Sequence, residues 1–299
     1  MKTTMRKLIN LLGYDVTVQP IANKLTSANT KVVYIHIPKC GGVSIDTALR
    51  NLLGQVGQGK IKRKPMIASS LFEYDKPLNS LEQQADFSEF HAQKIREILA
   101  YHLNLNWQYV SGHVNVSKKL LDTYSGEYDF ITLLRDPVDR FISNYVFNKL
   151  TNELEIMAPF KDQHSLTQDE LIAEVDTILA SKRGWHMANT PTMFITGRYP
   201  RDNADAQEMG EEFINNLKKF KVVGFLDDLA DFEQKCIKVI NKPLEIKSLN
   251  RTADLNTDYE QFVQQTLKDY FAQPETLNRV KALCEFENRN YLRAKEILG

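Results

Sequence analysis

The feature that most constrains this chain is the transition from Lys31–Ile37 (KVVYIHI) into Pro38-Lys-Cys-Gly-Gly-Val-Ser44. The first run is rich in β-branched and aromatic residues, as expected of a strand buried on both faces of a parallel sheet. After the glycines, Ile45, Ala48, Leu49, Leu52 and Leu53 recur at helical spacing. Strand, glycine-bearing turn, helix is the order that an α/β fold uses to hold a phosphate. The amides at a helix start lack partners within the helix, and the helix dipole makes that end partly positive. Gly41 and Gly42 let an anion approach the main chain, Lys39 adds a full charge and Ser44 a hydroxyl donor. The bland alternative is a tight turn with a solvated lysine.

Two more segments repeat the pattern. Gln108–Ser111 reads as a short strand running into Gly112-His113. Tyr128–Leu134 (YDFITLL) is the most strongly patterned strand and ends at Arg135-Asp136-Pro137. Asp136 suits a helix cap and Pro137 a first turn. In the helix that follows, Val138, Phe141, Ile142, Tyr145 and Val146 form the apolar face, with Arg140, Ser143 and Asn144 toward the other side. Lys221–Phe225 is a fourth strand and Leu229–Ile240 an amphipathic helix. Gly54–Ser88 reads as a polar excursion, a helix is expected around Phe90–His102, Glu153–Arg183 is expected to be helical, and Trp185–Gly197 less regular. The expected fold class is therefore α/β, a P-loop-like, mostly parallel sheet flanked by helices. Residues 1–30 read as an N-terminal extension and 31–299 as a single domain.

Arg135, at the C-terminal end of a buried strand, stands where open α/β sheets bind ligands, and guanidinium is the preferred fork for phosphate. Two readings stay open: an anion site shared with Ser143, or an ion pair with Asp136 or Asp139. The lysine-before-glycine order differs from the magnesium-holding loop GxxxxGK[ST]. With 38 basic and 38 acidic residues, the whole molecule presents no strong field for nucleic acid. Cys40, Cys236 and Cys284 form neither a disulfide framework nor a zinc pattern, which suits a reducing compartment. No stretch approaches the roughly 20 apolar residues of a membrane span. A soluble, cytoplasmic protein is expected.

HIPKCGGVS (His36–Ser44) followed by LLRDPVDRFISNY (Leu133–Tyr145) resembles the sulfotransferases that use 3′-phosphoadenosine 5′-phosphosulfate (PAPS). The look is nearest to the heparan sulfate 2-O- and 6-O-sulfotransferase branch and its bacterial relatives. The resemblance implies a sulfotransferase fold, with PAPS as donor, 3′-phosphoadenosine 5′-phosphate (PAP) as product and a hydroxyl acceptor on a glycan. It assigns Lys39, Cys40, Gly41, Gly42, Val43 and Ser44 to the 5′-phosphosulfate, and Arg135 and Ser143 to the 3′-phosphate. Arg251 and Thr252, in LNRT, are similar to a loop that closes over the nucleotide. Leu217–Leu229 looks like the family's late strand–helix step. Position 40 departs from the threonine of many relatives; a thiol beside lysine and a helix start could have a depressed pKa, but no resolving partner makes it a catalytic cysteine.

Attack by a hydroxyl on sulfur needs a base, and histidine suits neutral pH. His113 follows a strand through Gly112, and SGHVN resembles the Gly-His step of the 2-O branch, where this histidine is the base. His36 reads as a core residue, with His186 held in reserve, and His91, His102 and His164 as surface. Lys39 and the loop amides would carry the charge on the leaving phosphate, so no metal is needed. Lys60, Lys62, Arg63 and Lys64, and Lys182-Arg183, are basic runs that either hold an anionic glycan or are solvated loop charges, and Trp107, Trp185 and Tyr199 are aromatics of a kind that stacks on sugars or fills a core. An ATP-dependent phosphotransferase and a non-catalytic nucleotide- or glycan-binding protein are the competing readings.

Overall fold

A computed structural model describes residues 30–54, 59–151, 166–247 and 257–299. Its centre is a four-stranded parallel sheet: β1 (Lys31–Ile35), β2 (Tyr109–Gly112), β3 (Tyr128–Leu134) and β4 (Val222–Phe225), in spatial order β2-β1-β3-β4. Val33 lies opposite Val110, Tyr34 opposite Ile131, and Thr132 opposite Val223. The α/β expectation holds.

Both faces of the sheet are covered, which is why its strands are almost continuously apolar. Alternate residues feed two different cores. Val32, Tyr34, Ile131 and Leu133 pack with Ile45, Leu49 and Leu53 of α1 (Gly42–Leu53) and with Phe232, Cys236 and Ile240. Val33, Ile35 and Phe130 face the other way, onto helices that come from widely separated parts of the chain. In chain order after α1 these and the remaining helices are α2 (Arg63–Glu73), α3 (Leu81–Asn104), α4 (Lys118–Tyr124), α5 (Pro137–Leu150), α6 (Gln168–Leu179), α7 (Lys182–Ala188) and α8 (Thr190–Thr196). There follow α9 (Asn203–Leu217), α10 (Leu229–Ile240), α11 (Asp258–Ala272), α12 (Pro274–Leu283) and α13 (Glu285–Leu298). A further apolar cluster joins α5 to α6, α11 and α12 through Phe141, Tyr145, Val175, Leu267, Phe271 and Val280. No helix among the described residues is long and apolar enough to cross a membrane.

Strand ends agree with the sequence reading to within two residues, and α10 coincides with the expected helix. Three regions differ. Gly54–Ser88 is not a bare excursion: it contains α2 and the start of α3, and Met66 and Phe87 are buried. α3 starts nine residues before the expected Phe90, because Ser80 caps it by accepting from the Gln83 amide. Trp185–Gly197 is regular after all, formed by α7 and α8 in succession. Of the expected helix at Glu153–Arg183, α6 and the start of α7 are seen, and 152–165 lie outside the described residues.

Candidate functional site

From β1 the chain proceeds to β2 on one side, then crosses back to β3 and β4 on the other. The sheet therefore has its topological switch point between β1 and β3, at whose C-terminal ends open α/β sheets bind ligands. The two segments singled out in the sequence leave β1 and β3 at that point, and one contact joins them: Arg135 Nη1 donates to the carbonyl of Lys39 at 3.1 Å. Asp136 is engaged elsewhere. It caps α5 by accepting from the Asp139 amide at 3.0 Å, with Pro137 in the first turn, as its position predicts.

The turn itself is unusual backbone. Lys39 has φ 67° and Gly41 φ 73°, so a left-handed residue precedes and begins the entry to α1. Gly41 is the N-cap and has no side chain to supply an acceptor, and no acidic residue lies in the first turn. The helix start thus keeps its electropositive character. Behind it α1 is pinned to β2: Asp46 Oδ1 accepts from Tyr109 Oη at 3.0 Å, from Arg50 Nη2 at 3.1 Å and from the Ser111 hydroxyl.

Cys40 departs from its expected role. Its side chain is buried in the core and does not line the cavity beside the turn, and its amide is directed to the Ile37 carbonyl. Burial pushes the thiol up to about 12, so the low-pKa idea is overturned.

A cavity of about 560 Å³ opens over this edge, within the range of roughly 300–1,000 Å³ for small-molecule sites. Lys39, Gly41, Gly42, Val43 and Ser44 line it together with Arg135 and Ser143. His113 and His36 do so too. Lys39 Nζ lies 3.9 Å from the centre of the Phe147 ring, and burial, with the Arg135 charge, lowers its pKa.

His113 is held in a defined tautomer. Its Nδ1 is 2.8 Å from the His36 carbonyl, which can only accept, so Nδ1 carries the hydrogen and the neutral ring's lone pair is on Nε2. The two imidazoles lie 4.3 Å apart, and burial first, then His113, pushes His36 down to about 3. His36 is therefore neutral at ordinary pH.

Apart from Arg63, Arg183 and Tyr199, the remaining lining was not foreseen. Arg63, Met66 and Ile67 of α2, Phe87, Ser88, His91 and Ile95 of α3, Arg183 of α7, Met193 and Phe194 of α8, and Tyr199 complete the cavity. His91 is thus no surface residue: it stacks on Phe87, sits 2.7 Å from the Ser70 hydroxyl, and is pushed down to about 4 by burial. His102 is directed to its own helix, 2.8 Å from the Ile98 carbonyl. His186, the reserve base, is fully buried behind the wall, stacked on Tyr199 at 4.1 Å and 3.3 Å from Glu89 Oε1. Arg140 is likewise buried, donating to the carbonyls of Met187 and Ala188, and not on the polar side of α5. Of the three aromatics named for stacking, only Tyr199 reaches the cavity; Trp107 packs on His102, and Trp185 on Phe286. Arg251, Thr252 and His164 lie outside the described residues.

Comparison with known families decides the class of chemistry: the model of the sulfotransferase family matches residues 23–291. The chain belongs to the sulfotransferase family. This sulfotransferase transfers a sulfuryl group, and its family match spans both segments singled out in the sequence and His113. No curated protein matches the chain.

Proposed function

We propose that this sulfotransferase moves the sulfuryl group of PAPS onto an acceptor hydroxyl, with His113 as the base. One observation carries the reading: Arg135 reaches across the switch point to the Lys39 carbonyl, so the two segments and His113 line a single cavity. The chemistry of the lining fits the donor. The uncapped start of α1 with Lys39 and Ser44 suits the 5′-phosphosulfate, and Arg135 with Ser143 suits the 3′-phosphate. Arg251 and Thr252 are proposed to close over the nucleotide, by resemblance.

When bound, PAPS supplies a sulfuryl group activated by its bond to phosphate. His113 Nε2 takes the proton of the acceptor hydroxyl as the acceptor oxygen–sulfur bond forms and the sulfur–oxygen bond to the 5′-phosphate breaks. Lys39 and the α1 amides stabilise the charge that returns to the phosphate; donors of this kind are worth about 10²–10³ in rate each. Holding both anionic ends fixes the donor for in-line attack. These groups supply the charge without calling on a metal. Cys40, Cys236 and Cys284 are all free and buried, which suits the reducing cytoplasm where we place the protein.

The test is calorimetry with PAP, AMP and ATP. PAP should bind without magnesium and AMP at least tenfold more weakly. Tighter, magnesium-dependent ATP binding would favour a phosphotransferase instead.

A further inference from the structure

The basic pair Lys182-Arg183 is split by the fold. Lys182 turns outward to Asp86 at 2.9 Å and Glu89 at 3.2 Å, with Glu82 at 3.8 Å. Arg183 turns inward and lines the cavity. Its Nη1 donates to the Ser88 hydroxyl at 2.6 Å, and it bonds the Tyr199 hydroxyl as well. Those partners are neutral. Among the described residues no carboxylate pairs with Arg183, and its Nε is buried without an acceptor. A second cation, Arg63, lines the same wall, close enough for the two charges to oppose each other. A half-buried guanidinium facing a cavity with spare donors is a costly arrangement unless an anion completes it.

Most of the rest of that wall is apolar: Met66, Ile67, Phe87, Ile95, Met193 and Phe194. A chain of sugars needs polar partners along its length, and on this side Ser88, His91, Thr190 and Tyr199 are outnumbered by apolar side chains. The volume of about 560 Å³ must also admit the nucleotide, which leaves space for a compact body. Resting on the PAPS reading above, we infer that the acceptor is a small hydroxyl compound with an apolar body and one anionic end, held by Arg183 with Arg63. Its hydroxyl is presented to His113, from which the sulfuryl transfer proceeds as written above. This replaces the glycan that the resemblance implies.

The experiment compares 4-hydroxyphenylacetate with its neutral counterpart 4-hydroxyphenethyl alcohol and with a sulfated disaccharide, using radiolabelled PAPS. The carboxylate should exceed the neutral alcohol in kcat/KM by roughly tenfold or more, the yield of a hydrogen bond to a charged group. Arg183→Gln should bring that ratio toward one, chiefly by raising KM for the carboxylate, and Arg183→Lys should restore part of it. In parallel, 4-hydroxyphenylacetate should raise the melting temperature of the PAP-loaded wild type and not that of the PAP-loaded Arg183→Gln protein. Equal use of acid and alcohol, a ratio that survives Arg183→Gln, preference for the disaccharide, or no turnover and no thermal shift with the acid overturns the inference. PAP calorimetry on both proteins separates the two claims. If PAP binds and the acid shows no advantage, the acceptor inference alone fails; if PAP does not bind wild type, the donor reading fails with it.

Discussion

The imidazole of His36 occupies the space that a side chain at residue 42 would need: a Cβ built on Gly42 would lie 2.0 Å from His36 Nε2 and Cδ2. Gly42 has an ordinary helical backbone, so its requirement for glycine is one of packing. Gly41 is different, with φ 73° and Leu226 Cδ1 2.9 Å from the position of a Cβ. The paired glycines thus serve two purposes, a left-handed turn and a seat for a histidine ring. Gly42→Ala should cost about 1–3 kcal/mol, the usual penalty of overpacking. Urea unfolding checks this, and His36→Ala in the same chain should recover much of the loss.

His113→Ala removes the proposed base and leaves both anion-binding segments untouched. Turnover should fall by about 10²–10⁴, the usual worth of general-base catalysis. The PAP dissociation constant should change less than threefold by calorimetry. Loss of PAP affinity instead would assign His113 to binding.

Arg135 touches both the loop and, in the proposed complex, the 3′-phosphate. Arg135→Ala should weaken PAP by roughly ten- to a hundredfold, as expected for a lost hydrogen bond to a charged group. AMP, which lacks that phosphate, should lose much less. An equal loss for both nucleotides would mean that Arg135 acts only by bracing Lys39.

His186 makes stability depend on pH. It is fully buried, and burial, helped by the Arg183 and Lys182 charges, pushes its imidazole down to about 3 from an ordinary value near 6.5. The unfolded chain then binds the proton more readily than the folded one, so stability falls as pH drops from about 6.5 toward 3. Between pH 7 and pH 5 the loss from this residue is about 2 kcal/mol. His186→Phe, which keeps a ring against Tyr199, should shrink that loss when urea midpoints are compared at the two pH values.

The cysteines should be inert while the protein is folded. Burial raises each thiol to about 12. Iodoacetamide at pH 8 should leave the native protein unmodified and label all three thiols in urea, as mass spectrometry would record. Rapid native labelling of Cys40 would show that the turn opens.

The strands, the glycine turn and the cap at Asp136 were legible because each is local: apolar runs, φ > 0 at glycine and capping depend on neighbours within a few residues. The order of the two anion motifs, and Gly-His after β2, was legible for the same reason. α2 was not, since Leu71 and Phe72 are exposed among its outer residues, so no apolar stripe marks its inner face, and its helix is sustained by Met66 against the cavity wall. Nor was the positive φ of Lys39 visible, because a residue with a Cβ adopts it only when surrounding contacts hold it there.

What the sequence determined by itself was therefore the class of fold and the two short segments beside strand ends that we propose hold the donor. Tertiary structure alone assembled the opposite wall of the cavity. His91, Arg183 and Tyr199 come from α3, α7 and the segment after α8, far apart in the chain, and each has a plausible surface role when read alone. Which of two adjacent cations, Lys182 or Arg183, meets solvent acids and which meets the cavity is set by the direction each leaves its helix after packing. No local pattern encodes that choice.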